Sequence, residues 1–214
     1  MDVIAFYLPQ FHPIPENDAI YGKGFTEWDN VRNAVPLFPG HYQPHVPHRS
    51  IGQYSLLDER FLAVQHALAL ECGVSGFCYY YYNFAGHTPL SQPLEIIRQS
   101  RAISNAYCLC WAHVDWYDNR NTRKEIFLPQ TYSAACAEAL FADLRRHFEN
   151  PRYIAVNGKP LLLIWAPERN PMICQYADIL REQSLRAGFP GLCLAGVECF
   201  VGAPPELYGL DCMV

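Results

Sequence analysis

Short apolar runs alternate along this chain with segments whose apolar residues recur at helical spacing. The runs at residues 3–8, 74–80, 106–111, 160–165 and 192–198 have strand length and are bounded by Pro, Gly or polar clusters, and residues 211–214 read as the beginning of a sixth. Between them, Phe61, Val64 and Leu68 mark a helix over 58–72 that Gly73 stops, and a short helix is expected over 94–101. Ser133 caps a helix with Ala137, Leu140, Leu144 and Phe148 on one face. Pro171 suits the first turn of another, with Ile173, Tyr176, Ala177 and Leu180 facing the core and Gly188 ending it. Asn157-Gly158 is the favoured two-residue turn of a hairpin leading into the fourth strand.

Strict alternation of strand and helix indicates a parallel α/β fold. Residues 3–8 form an unbroken apolar run and are expected to be buried on both faces. Connections from helix to strand are short, whereas those from strand to helix are long and hold most Trp, His and Tyr clusters. That asymmetry predicts a TIM-type (β/α) barrel with its binding groups at the C-terminal strand ends. A doubly wound open sheet is the runner-up, but it would show a Gly-rich turn after the first strand, where this chain has YLPQFHP. Four complete units, a fifth strand and a stub fall short of eight, so residues 1–214 read as one barrel domain truncated at its C-terminus. The segment 9–55 is too rich in Pro, Gly, His and Asn for a continuous helix or strand, and loops of this length are usually functional.

Half of the residues are hydrophobic, enough for one sizeable core. A net charge of -5 gives no general attraction for phosphate backbones, which argues against nucleic acid as a partner. Nine cysteines, without CxxC pairs and with several inside strands, read as reduced thiols in a cytoplasm-like compartment. No basic region precedes the first apolar run, so no signal peptide is read there, and no run reaches the ~20 apolar residues of a transmembrane helix.

Paired carboxylates are the usual equipment of glycoside chemistry, and Glu27, Asp115, Glu168 and Glu198 stand near strand ends. Glu198 is the sharpest by position, because it closes an apolar strand; the bland alternative is a structural carboxylate. Sugar C–H faces lie on aromatic rings while hydroxyls bond to polar side chains, which suits Tyr7, Gln10, His12, Trp28, His41, Tyr42 and His45 as one wall. Tyr80, Tyr82, Trp111, His113, Asp115 and Trp116 form the next. If the strand continues, Tyr79 and Tyr81 must point the opposite way and pack against helices. Trp165 fits core and cleft equally. His41, His45 and His48 cannot be aligned by a helix because Pro44 and Pro47 interrupt them, so no metal is assigned, and no cofactor motif stands out. No GxSxG elbow or Asp-x-Asp motif is present.

At YLPQFHPIPEND, GKGFTEWDNV, LFPGHYQPH, GVSGFCYYYYNF, CLCWAHVDW, PRYIAVNGKPLLLIW and GVE the sequence resembles the WbsX-type glycosyltransferases, a family also described as glycoside hydrolase family ninety-nine-like. The resemblance covers nearly the whole chain. It implies a (β/α) barrel acting on bacterial surface polysaccharides such as lipopolysaccharide O-antigen, on the cytoplasmic side of the membrane, with a glycan substrate and other polysaccharide-biosynthesis proteins as partners. The family pattern WANENW becomes Trp111-Ala112-His113-Val114-Asp115-Trp116, so Val114 replaces a glutamate and Asp115 is the nearest acid. A later paired-glutamate segment of the SWNEWxEG type is not reached.

Overall fold

The computed structural model describes residues 2–118, 120, 123–198 and 202–214. Strand β1 (Ile4–Tyr7) is followed by helices α1 (Pro15–Tyr21), α2 (Glu27–Asn33) and α3 (Glu59–Glu71). Then come β2 (Gly76–Tyr81), α4 (Gln92–Gln99), β3 (Ala106–Ala112), the small strands β4 (Trp116–Tyr117) and β5 (Ile126–Leu128), and α5 (Ala134–Phe148). The chain continues through β6 (Ala155–Val156), β7 (Lys159–Trp165), α6 (Ile173–Arg186), β8 (Cys193–Val197) and β9 (Cys212–Met213). Strands β1, β2, β3, β7, β8 and β9 pair in that order, all parallel, as a curled half-barrel with helices outside, the partial TIM-type architecture expected.

Register sorts the strand residues onto two faces. Tyr7, Tyr79, Leu109 and Leu162 align across the sheet and face the helices. There Tyr79 and Tyr81 are fully buried, as the alternation required, and the Tyr79 hydroxyl meets His66 Nε2 of α3 at 2.5 Å. On the other face, Cys78, Cys108 and Cys110 supply small buried side chains beneath Tyr80. All described cysteines are free thiols.

Several expectations shift. Strand β1 is half-buried on one face, at Ala5 and Tyr7, and exposed on the other, at Ile4 and Phe6, because the edge strand has just β2 beside it. Helix α3 buries Leu62 and His66 and exposes Val64 and Leu68. The His66 ring, anchored to Leu62 O and Tyr79, sets the rotation of that helix. Pro171 lies before α6, whose N-cap is Met172. The 9–55 segment, expected as loop, contains α1 and α2. The expected hairpin is present, with Asn157 and Gly158 both at positive φ between β6 and β7.

Candidate functional site

Local chemistry after β1 builds one wall of a cleft. Pro15 opens α1, and the Asp18 carboxylate accepts hydrogen bonds from Gly24 N (2.9 Å) and Phe25 N (3.2 Å), closing the GKG turn in which Gly22 and Gly24 take positive φ. Thr26 and Asp29 then cap α2 reciprocally: Thr26 Oγ1 accepts from Trp28 N, and Thr26 N donates to Asp29 Oδ2 at 2.9 Å. This T-E-W-D capping box turns Glu27 and Asn30 toward the cleft and Trp28 away from it.

The opposite wall comes from the end of β3 and the β4–β5 hairpin. Asp115 Oδ1 accepts from Gln130 N at 2.6 Å, and Gln130 Nε2 donates to Asn83 O at 3.1 Å, so the carboxylate is tied to the loop after β2. Trp116 is held edge-on by Tyr82 (5.0 Å) and Phe84 (5.7 Å). The cleft between the walls encloses about 540 Å³. Gln10, Glu27, Tyr82, Asp115 and Trp116 line it together with Asn17, Asn30, Tyr21 and Phe127. Through Tyr82 it meets an apolar hollow of about 280 Å³ formed by Leu8, Tyr80, Ala112, Val114 and Trp165.

Of the residues expected at the site, Gln10, Glu27, Tyr80, Tyr82, Asp115 and Trp116 therefore converge, and the others do not. Tyr7 points at the helix layer and donates to Gln65 Oε1 at 2.8 Å. Trp111 lies on the same face, stacked on Tyr176 of α6 at 5.2 Å. Parity explains both: one residue of register separates the helix face from the hollow. Trp28 donates from Nε1 to Tyr54 O (2.7 Å) and packs on Phe11, pinning the long loop. His41 stacks on Phe38, and Tyr42 meets His45 edge-on, in that same loop beyond α2. Glu198 is exposed, its backbone N–H donating to Val214 O, and it lines neither hollow. Asn17, Asn30, Tyr21 and Phe127 line the cleft without having been expected there, and Trp165, which the sequence left open between core and cleft, lines the apolar hollow.

His12, His113 and His147 are wholly buried, His147 with its ring edge-on to Tyr107. His113 Nδ1 lies 3.2 Å from Tyr132 Oη, whose hydroxyl donates to His113 O at 2.7 Å. Burial pushes each of these imidazoles down to about 4. A histidine whose folded pKa lies below its unfolded value, about 6.5, stabilises the fold fully above the unfolded value. That contribution is lost as pH falls toward 4. Thermal melts from pH 7 to 4.5 should therefore show a steady fall in Tm, reflecting a loss of unfolding free energy on the order of 1 kcal/mol per pH unit for each histidine. A flat profile would show that the three rings titrate alike folded and unfolded.

The model of the family described as Glycosyltransferase WbsX matches residues 3–214. The protein WxcX of Xanthomonas campestris pv. campestris is 40% identical over 215 residues, which covers 99% of this chain and 30% of that protein, and the sequences from two strains give the same values. The chain thus spans about 30% of the length of the curated relatives it matches. Among solved structures, a GH99 endo-alpha-mannosidase from Bacteroides thetaiotaomicron superposes with a TM-score of 0.59 at 14% identity, covering 99% of this chain and 60% of that one. A glycoside hydrolase-like protein gives a TM-score of 0.55 at 15% identity, covering 99% and 57%. At such identities the likeness is one of fold.

Proposed function

Because the chain belongs to the WbsX glycosyltransferase family, we propose that it is part of a carbohydrate-active protein and that the cleft between α2 and the β4–β5 hairpin takes a glycan. The observation that carries this reading is that two carboxylates from separate elements, Glu27 and Asp115, line one cleft with aromatic rings and side-chain amides. Trp116, Tyr21 and Phe127 offer faces for sugar C–H groups, and Gln10, Asn17 and Asn30 offer donors and acceptors for hydroxyls. Asp115 acts as acid/base or as a hydroxyl-binding carboxylate, and Glu27, whose Oε2 accepts from Asn30 Nδ2 at 2.8 Å, assists from the facing wall.

The substrate class is a bacterial cell-surface polysaccharide such as lipopolysaccharide O-antigen, worked on in the cytoplasm by a transferase-like or hydrolase-like reaction. Free thiols throughout the described residues support a reducing compartment. A second reading, a sugar-binding protein without catalysis, is favoured by Val114, which lines the hollow where the family pattern has a glutamate.

Glycan-array binding followed by assays of transfer and hydrolysis on the bound oligosaccharides tests both. Binding with turnover supports the enzyme, binding without turnover supports the second reading, and no binding to any glycan removes both. In the same assays Glu198→Gln should leave affinity and turnover within about twofold of the parent, since an exposed residue away from the cleft contributes little. A loss of tenfold or more would return Glu198 to the catalytic list.

A further inference from the structure

The cleft does not end at α2. Through Tyr21, Phe25 and Asn30, which line both spaces, it runs on into a second groove of about 380 Å³. The groove is completed by the Gly22-Lys23-Gly24 turn and by Asp29 and Asn33 of α2. Tyr21 and Phe25 stack on each other at 4.5 Å, so one aromatic pair borders both spaces. Glu27, Asn30 and Asn33 recur every third residue and wind along α2 in that order: the first lines the cleft, the second both spaces and the third the groove.

The groove is formed in advance, and its lining is polar. Asp18 closes the turn by accepting from Gly24 N and Phe25 N, and the capping box holds the first turn of α2. A Cβ at Gly22 or Gly24 would meet nothing within 4 Å, so the peptide groups of the turn are open to a ligand. Asp29 is taken up by Arg32 and by Thr26 N, which leaves the exposed Lys23 as the one cation among the described residues lining the groove. A single lysine beside a carboxylate gives little net field for a phosphate. Amides, an ammonium and peptide groups beside an aromatic pair are instead what the hydroxyls and C–H faces of a neutral sugar require.

We propose that this groove is a second glycan subsite, continuous with the first, which takes the sugar units that follow those held between Glu27 and Asp115. The inference rests on the reading of the cleft as a glycan site, and it makes the substrate a chain bound along its length rather than a lone sugar. Because Asp18, Thr26 and Asp29 already order the walls, added units gain hydrogen bonds with little cost of ordering the protein.

A glycan array on which each oligosaccharide is printed as a nested series, from a single sugar upward, tests this with the full chain. Affinity is expected to rise by about tenfold once a chain outgrows the cleft, the gain from roughly two added hydrogen bonds. The double variant Lys23→Ala/Asn33→Ala should lose that gain on long chains and bind the shortest retained glycan as the parent does, because neither residue lines the cleft. Both side chains are exposed, so circular dichroism should be unchanged. Affinity that is flat with length in every series would overturn the proposal and leave the cleft reading in place. So would a double variant that keeps the gain, or one that weakens short and long chains alike. No binding anywhere on the array would remove the cleft reading, and the second subsite with it.

Discussion

Replacing Asp115 by Asn is expected to lower kcat/KM on a turned-over glycan by roughly 10²–10⁴-fold, the range for losing a general acid or base. The substitution retains an oxygen for the Gln130 N–H and nearly the same volume, so the loop between β3 and β5 should keep its place. A spectroscopic signature separates chemistry from structure. The Tyr132 hydroxyl is pushed up to about 12, first by burial and then by the Asp115 carboxylate. In Asp115→Asn the phenol should ionise at lower pH in an ultraviolet titration, showing that the charge has gone while the surroundings remain. Turnover within about tenfold of the parent, with that shift present, would remove Asp115 from the reaction. Loss of turnover with a disturbed circular dichroism spectrum would mean that Asp115 only holds the loop.

Gly76→Ala should be the most damaging single methyl group in the sheet. A Cβ at Gly76 would sit 2.5 Å from Ala106 O and 3.0 Å from Ala106 C, both backbone atoms of the paired strand β3. Neither can turn aside, so β2 and β3 must separate where the central pairing begins. A loss of about 3 kcal/mol is expected, which for a domain of this size lowers Tm by roughly 6–12 °C. Gly196→Ala should cost less, because its new methyl meets the Sδ and Cε of Met213 and the Cδ1 of Leu210, ends of flexible side chains. Urea unfolding of both variants gives the comparison; equal midpoints for Gly76→Ala and the parent would show that the strands can shift apart freely.

The two predictions rest on different parts of what the chain encodes. Strand and helix order, the parallel α/β class, the Ser133 cap, the Asn157-Gly158 hairpin and the opposite faces of Tyr79 and Tyr80 were all legible in residue order. Each depends on neighbours a few positions apart, through periodicity, capping or turn conformation. The T-E-W-D box of α2 is equally local, but the Pro and Gly around it obscure its capping pattern.

Which strand-end residues share a cleft was not local. Tyr7 and Trp111 have the composition of sugar-binding groups, yet strand parity places them against Gln65 and Tyr176. Trp28 sits one residue from Glu27, and the helical turn sends them to opposite sides of α2. The sequence by itself determined the elements and the chemistry available at their ends. Only the tertiary structure decided that Glu27 and Asp115 line the same hollow and that Glu198 does not, because convergence depends on sheet curl and strand register, which distant residues set together.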